Sequence, residues 1–441
     1  MTPRLLAGPE FELGAERLAS HLERLGPLPD RAATADLIGT LETSGLLGRG
    51  GAGFPVGKKW RSVAERAGGG GAVVLVNGAE GEPLSHKDRA LMSLRPHLVL
   101  DGAELAAAAV GADEIVLYVG AAHAGAQRAL GRAVAERAAT SRPRSVRGSA
   151  TGGASSNARL RPIRQVPIRL VQPPHRYVSG EESAAVHFVN AGDARPVTTP
   201  PRPYERGIGA RPTVVQNVES LAYAALIARF GDDWFRSVGR HGSRGTALIT
   251  ANAPSEKAVV LEVELGATVG DVAAMVEPAI RQDDVQAVLL GGYFGGWLPA
   301  HRAWAFPLDP GALKEQGLSF GAGVIGFLSA QACPVRTTAR IATYMAAQSA
   351  AQCGPCVYGL RSIADAATRI ARLTPLGDDL ANLERWAGQV RNRGACRHPD
   401  GAVGLLTHAL ETFGPEFYQH QRGRCSHSAQ VAPVTRTGRV A

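Results

Sequence analysis

Apolar and polar positions follow three different rhythms along the chain. Over residues 1–44, Leu18, Leu22 and Leu25 fall on one face of a helix in Glu16–Leu25, which Pro27 and Pro29 end. Leu37, Ile38 and Leu41 do the same for a second helix over Ala33–Thr43. Beyond the turn Gly68–Gly71 comes an uninterrupted apolar run, Ala72–Val76, of strand type. A helix near Arg95–Val110, a strand Glu114–Val119, a helix near Ala122–Glu136 and a strand Pro167–Val171 follow. Strands alternating with helices predict an α/β fold with a parallel sheet covered on its faces. Pro196–Pro203 is extended, and Thr213 opens a predicted helix running to about Phe230. The rhythm then changes. Gly245–Leu265 alternates as strands, Gly270–Met275 is a helix, and Leu289–Leu298 is a strand with a tight glycine turn. These make a small β-rich domain of about 80 residues. From Cys333 to roughly Phe413 the pattern is helical throughout, a bundle of about four helices.

Composition changes this picture little. With 441 residues, 45% hydrophobic and 20% charged, the chain has room for two to four domains of an ordinary globular protein. No apolar run reaches the roughly 18–20 residues a membrane helix needs. No signal-peptide core follows Met1, so the expectation is a cytoplasmic protein. The net charge of +9 suggests nucleic acid, but aromatics are only 5% and arginine is mostly scattered. Arginine clusters once, at Arg142, Arg144, Arg147, Arg159, Arg161 and Arg164 around the low-complexity stretch Gly148–Asn157. That segment reads as a solvated insert, the alternative being a docking patch for an acidic electron-transfer partner or a membrane surface.

Candidate chemistry is concentrated in a few short blocks. Gly48, Gly50, Gly51 and Gly53 lie within six positions, with Arg49, Lys58 and Lys59 alongside and Pro55 placed to open a helix. Such a loop can wrap a phosphate against a helix N-terminus. The formal dinucleotide fingerprint is discounted, because a helix and not a strand precedes it. Asn77-Gly78-Ala79-Glu80-Gly81-Glu82 collects an amide and two carboxylates at a strand end, where open α/β sheets bind ligands. Gly180-Glu181-Glu182 places two carboxylates at a turn, which alone reads as a helix start. Five cysteines, Cys333, Cys353, Cys356, Cys396 and Cys425, all lie in the last quarter and point to metal or redox chemistry rather than disulfides.

Set side by side, these blocks resemble the NADH-oxidising flavoprotein subunit of respiratory complex I and of NAD-linked hydrogenases and formate dehydrogenases. There is some likeness to the Rnf complex C subunit as well. The resemblance runs from about residue 34 to residue 413 and rests on Gly48–Trp60, Asn77–Arg89, Tyr177–Ala184, Pro212–Glu219 and Cys353–Cys396 in that order. It implies a Rossmann-like FMN domain (34–240) after an N-terminal entry (1–33). A small ubiquitin-like, SLBB-type β-grasp domain (241–325), a four-helix iron–sulfur domain (326–425) and a tail (426–441) follow. It implies an NAD(P)H dehydrogenase in which FMN takes a hydride and passes electrons singly to a [4Fe–4S] cluster, since a nicotinamide gives two electrons at once and a cluster takes one. The expected partner is a ferredoxin-like or other iron–sulfur subunit in a larger redox complex, with at most peripheral membrane association and no nucleic acid.

Carried over by position, Gly48, Arg49, Gly50, Gly51, Ala52, Gly53 and Lys59 would cradle FMN, with Asn77, Glu80, the Gly180–Glu182 turn including Glu181, and Asn217 completing the site. Glu82 and Glu182 would lie near the nicotinamide ribose, and Cys353, Cys356 and Cys396 would ligate the cluster. Three departures stand out. Ala79 replaces the family aspartate, as in the Rnf complex. Thr199-Pro200-Pro201-Arg202 stands where the family carries Lys-Pro-Pro-Phe, and Trp60 is not followed by phenylalanine, which opens NADPH, or no nicotinamide, as alternatives. Ala350 occupies the place of the first family cysteine, leaving His398, Cys333, Cys425, His427 or water to complete the cluster. Two further readings are an electron-transfer flavoprotein without nicotinamide and a cofactor-depleted structural paralogue.

Overall fold

The structure is a computed structural model that describes residues 3–9, 13–30, 36–68, 71–140, 166–254 and 257–427. The arginine-rich segment, the first residues of the Ala33–Thr43 helix and most of the tail lie outside the described residues. Three short helices, α1 (Leu18–Leu25), α2 (Leu37–Ser44) and α3 (Val56–Ala64), precede β1 (Ala72–Gly78). Then come α4 (Lys87–Leu94), α5 (Pro96–Val110), β2 (Ala112–Val119), α6 (Ala124–Thr140), β3 (Ile168–Val171), α7 (Glu182–Ala191), β4 (Thr213–Asn217) and α8 (Val218–Arg236).

The first sheet has the order β3-β2-β1-β4, and every pairing is parallel. Its central strand β1 is buried from Ala72 to Val76, which is why its sequence is continuously apolar and not alternating. The chain adds β2 and β3 on one side of β1, then returns to place β4 on the other. The strand order therefore reverses between β1 and β4, and a crevice opens beyond their carboxyl ends.

One expectation is corrected here. Thr213–Asn217 is a strand and not the first turn of a helix, in register with Val73–Asn77 of β1. Thr-Val-Val carries three β-branched residues whose χ1 freedom is better kept in a sheet. The helix begins only at Val218, where the Asn217 side chain accepts from the Glu219 N–H as an N-cap.

The second unit comprises β5 (Thr246–Asn252), β6 (Ala258–Glu264), α9 (Val269–Met275), β7 (Val285–Leu290), β8 (Gly296–Pro299), the short helices α10 (Ala300–Ala303) and α11 (Pro310–Glu315), and β9 (Val324–Ser329). Its sheet order is β6-β5-β9-β7-β8, with β5 and β9 parallel and the other pairs antiparallel. A Thr268–Asp271 capping box starts α9.

Four longer helices follow: α12 (Pro334–Ala347), α13 (Arg361–Ala371), α14 (Asp379–Val390) and α15 (His398–Gln421). Neighbours α12 and α13, α13 and α14, and α14 and α15 pack together, and α15 also touches α12 and β8. They share a core that includes Ile363, Ile370, Leu383, Leu406 and Phe417. A π-turn over Pro355–Leu360 leads into α13, so Cys353 and Cys356 sit on the approach to a helix. Among the described residues no helix is long and apolar enough to cross a membrane.

Candidate flavin cleft and thiol cluster

The glycine loop is pinched at its base and open at its tip. Leu47 bridges Pro55, the Gly48 N–H donates to the Phe54 carbonyl at 2.9 Å, and Val56 N–H donates to Leu46. At the tip Gly51 has φ 109° and Gly53 has φ 63°, conformations that favour glycine. A Cβ at Gly53 would meet no atom within 4 Å, so open space borders the loop there. A Cβ at Gly50 would stand 3.3 Å from the Asn217 Cβ, which puts the tip over the end of β4. Pro55 is the residue before α3 and not its first.

Asn77 and Asn217 are register partners at the ends of β1 and β4. The Asn77 amide donates to the Gly180 carbonyl at 2.9 Å, drawing the Tyr177–Gly180 turn over the crevice. Lys59, on α3, approaches Glu182 at 3.2 Å and donates to the Val215 carbonyl at 3.3 Å. Glu182 opens α7 and is also 3.8 Å from Arg202. Gly48, Gly50, Gly51, Gly53, Lys59, Asn77, Gly180, Glu182 and Asn217 thus gather around one opening at the point where the strand order reverses. A glycine-edged loop with open space at Gly53 and a lysine nearby fits a phosphorylated flavin.

Other expected residues are brought to the same place but spend their polar atoms on the protein. The Arg49 guanidinium is buried, 3.6 Å from Glu219 and donating to the Thr246 carbonyl at 3.1 Å. From Arg49 only the backbone is left to the loop, and its N–H donates to Ser220 Oγ. Glu80, at φ 41°, accepts from the Asp88 and Arg89 N–H groups and from Ser85 Oγ, holding the start of α4. Glu181 caps α7 by accepting from the Ser183 and Ala184 N–H groups, so the helix-start reading holds for it.

Glu82 is buried. It accepts from the Tyr293 N–H at 2.8 Å, Tyr177 O–H at 3.0 Å and Leu84 N–H at 3.3 Å, and burial pushes its carboxyl up to about 7. It therefore joins the first sheet's loop to the Tyr177 turn and to the glycine turn between β7 and β8.

A charged network beneath the crevice was not foreseen. Lys87 Nζ lies 2.6 Å from Asp88 and 2.8 Å from Glu219, all three buried; Asp88 accepts from the Asn217 amide at 2.7 Å, and Glu219 from the Leu248 N–H. Lys87 and Asp88 stand in the polar run Ser85-His86-Lys87-Asp88-Arg89, which reads as an exposed helix start, so residue type alone gives no sign of their burial.

The cysteines form two groups. Cys353, Cys356 and Cys396 lie close enough that burial and the Cys353 and Cys396 thiols push Cys356 up to about 12. Three thiols brought to one part of the helical unit suit a thiolate-ligated metal centre. Burial raises the Cys396 thiol, with the Glu181 carboxylate adding to the rise. Tyr177 links its turn to the helical unit: its N–H donates to Gln348 at 2.9 Å, and its ring lies 5.7 Å from that of His398.

Three of the candidates for the place left by Ala350 are corrected. Cys333 and Cys425 gather in a group of their own with Glu416 and His420, and His427 approaches Glu416 at 3.3 Å. His398 spends Nε2 on the Met345 carbonyl at 2.8 Å, while its buried Nδ1 has no partner.

This architecture and these two sites define a flavin- and iron–sulfur-binding redox protein. Comparison with known proteins agrees. Residues 41–225 match the Nuo51 FMN-binding domain, and residues 336–420 match the NADH-ubiquinone oxidoreductase-F iron–sulfur binding region. Among curated relatives, an F-type chain of the NADH-quinone oxidoreductase of Rhizobium meliloti (strain 1021) is 29% identical over 396 residues, 88% of this chain and 90% of the relative. The F-type chain of the NADH-quinone oxidoreductase of Rhodobacter capsulatus is 26% identical over 394 residues, 88% and 89% of the two chains. A chain of the NAD+-reducing [NiFe]-hydrogenase in its air-oxidized state superposes with a TM-score of 0.74 at 27% identity, covering 93% of this chain and 67% of that one. The chain belongs to the family of FMN- and iron–sulfur-binding NADH-oxidoreductase subunits that these two matched regions describe.

Proposed function

We propose that this chain is an NADH dehydrogenase subunit that takes electrons from NADH at the β1/β4 crevice and delivers them to an iron–sulfur cluster on the helical unit. The observation that carries this reading is the shared turn. Tyr177–Glu182 borders the crevice through the Asn77–Gly180 hydrogen bond and reaches the helical unit through Tyr177, whose N–H donates to Gln348 and whose ring lies against His398, two residues beyond Cys396. Flavin bound there supplies conversion between two-electron and one-electron transfer.

The chain's own residues perform the rest. Backbone groups of Gly50, Gly51, Ala52 and Gly53 hold the phosphate, Gly48 and Arg49 anchor the base of the loop through their own N–H bonds, and Lys59 supplies positive charge. Asn77, Gly180 and Asn217 fix the ring side of the cleft, while Glu80 and Glu181 set the two helix starts that frame it. Glu182, half-exposed beside Arg202, receives the nicotinamide ribose. Glu82 holds the three covering loops together and excludes water from beneath them. Cys353, Cys356 and Cys396 supply three thiolates to the cluster.

The sheet order β6-β5-β9-β7-β8, with the unit's first and last strands in the chain, β5 and β9, paired parallel, supports reading residues 241–325 as a β-grasp domain between a Rossmann-like domain (34–240) and a four-helix iron–sulfur domain (326–425). The acceptor is a ferredoxin-like or other iron–sulfur subunit of a larger redox complex, with the chain as a peripheral member on the cytoplasmic side. Anaerobic stopped-flow absorbance tests the function. NADH should bleach the flavin of the wild-type protein and then the cluster, whereas in Cys396→Ser bleaching should stop at the flavin. A flavin that NADH leaves oxidised would remove this reading.

A further inference from the structure

The second cysteine group has the composition and spacing of a metal site, independent of the flavin and of the cluster. Cys333, Glu416, His420 and Cys425 each offer one ligand atom, and these atoms all lie within 4.8 Å of one another. The Cys333 Sγ to His420 Nε2 distance is 3.4 Å and the His420 Nε2 to Glu416 Oε1 distance is 3.3 Å. Around a tetrahedral zinc ion with bonds of about 2.0–2.3 Å, neighbouring ligand atoms stand roughly 3.3–3.8 Å apart. Both measured separations fall in that interval.

Several local features prepare these atoms for a cation. Cys333 and His420 are fully buried. His420 is paired through Nδ1 with the Ile370 carbonyl at 3.1 Å, which fixes the proton on Nδ1 and leaves the Nε2 lone pair facing Cys333. This is the outer hydrogen bond that orients metal-bound imidazoles. Cys333 caps α12, with the Arg336 N–H 3.5 Å from its sulfur; burial pushes this thiol up to about 11, and that peptide donor offsets the rise only in part, so a cation is needed to hold the thiolate. Glu416 and His420 are one turn apart on the same face of α15. Cys425 returns to them after the turn at Gly423, and the Ser426 N–H donates to Glu416 at 2.9 Å.

We propose that Cys333, Glu416, His420 and Cys425 bind one divalent zinc-type cation that ties the start of α12 to the end of α15. Two thiolates, an imidazole and a carboxylate are a donor set suited to zinc, and with all four positions filled by protein the site is structural, not catalytic. Charge balance follows from the chemistry: two thiolates and one carboxylate carry −3 against the ion's +2, and the thiol protons are released on binding. The group ligates from both ends of the helical unit, so the ion closes the segment that carries the cluster cysteines.

Metal analysis of the full-length holoprotein, purified anaerobically without chelator, tests this. The expected result is one zinc per chain in addition to iron, with Cys425→Ser losing the zinc while keeping its FMN and its iron. Glu416→Gln, a milder change, should weaken zinc retention against a competing chelator at least ~10-fold at unchanged iron content. Cobalt chloride added to zinc-depleted protein should give the intense visible bands of tetrahedral cobalt and a thiolate charge-transfer band, both missing in Cys425→Ser. Two results would overturn the proposal. One is wild-type protein with neither zinc nor a cobalt spectrum. The other is a Cys425→Ser protein that keeps its zinc, or that loses iron instead, which would give these thiols to the cluster.

Discussion

The crevice between β1 and β4 and the thiol triad of the helical unit are built on opposite principles. Around the crevice nearly every charged or amide side chain already has a protein partner: Glu80 and Glu181 cap helices, Asn217 caps α8, Lys59 meets Glu182, and Glu82 accepts three donors. The space for the ligand is made by missing Cβ atoms and backbone turns. The triad has no such settlement. Cys356 is buried and Cys353 and Cys396 half-buried, burial raises Cys356 and Cys396, and a bound cation offsets that by favouring the thiolates. Losing a ligand from the crevice should therefore cost affinity and leave the fold, while losing one from the triad should cost the whole centre.

The largest effect tests the triad side. Cys356→Ala should abolish acid-labile sulfide and iron attributable to the cluster, with FMN retained at full stoichiometry. Iron and sulfide assays beside the flavin spectrum read both, and an unchanged cluster would sink the ligand assignment. On the crevice side, Gly51→Val should raise the FMN dissociation constant at least ~100-fold, since a β-branched residue is strained at φ 109° and fills the loop edge. Circular dichroism should stay unchanged, and stoichiometric flavin in the variant would show that the loop does not hold it. The contrast sharpens with Ala350→Cys, which returns a thiol three positions before Cys353. A fourth thiolate should lower the cluster potential by something on the order of 100 mV in a redox titration and slow its decay in air.

Stability against pH separates the regions again. Glu82, pushed up to about 7 by burial, holds its proton in the fold at pH values where the unfolded chain has released it. Between roughly pH 4.5 and 7 the folded state thus binds more protons, and stability should fall with rising pH by about 3 kcal/mol, levelling off above 7. Glu82→Gln should flatten that slope in urea melts from pH 5 to pH 8. The smallest effect is expected at the rim. Arg202→Ala should change the ratio of NADH to NADPH affinity by less than ~10-fold, lowering NADPH more, because the side chain is exposed and its ion pair with Glu182 is long at 3.8 Å.

What the sequence disclosed follows from how local each feature is. The cysteine pair at the entry to α13 and the glycine loop are short-range patterns, and both lie where the spacing put them. The apolar run of β1 was legible because a central parallel strand is buried on both faces. Thr213–Asn217 was misread because its partner lies far away in sequence, and only pairing with β1 decides strand over helix. The roles of Arg49 and Glu80 were hidden for the same reason. A buried ion pair to Glu219 and a cap on α4 depend on what the fold brings alongside, and residue type alone does not reveal it. Cys333 and His420 are separated by 87 positions, and only helix packing brings them together.

The bridge between Gly51 and Gly321 has a consequence for cooperativity. It joins the tip of the glycine loop to the segment entering β9, where Ala322 N–H donates to Gly291 and Gly323 accepts from Thr250 N–H. A ligand that immobilises the loop therefore also steadies the centre of the five-stranded sheet, because local opening of one must strain the other. Amide protons of Thr250, Ala322 and Val324 should exchange more slowly with solvent when flavin is bound. The two sheets would then unfold as one exchange unit in the loaded protein and as two in the stripped one.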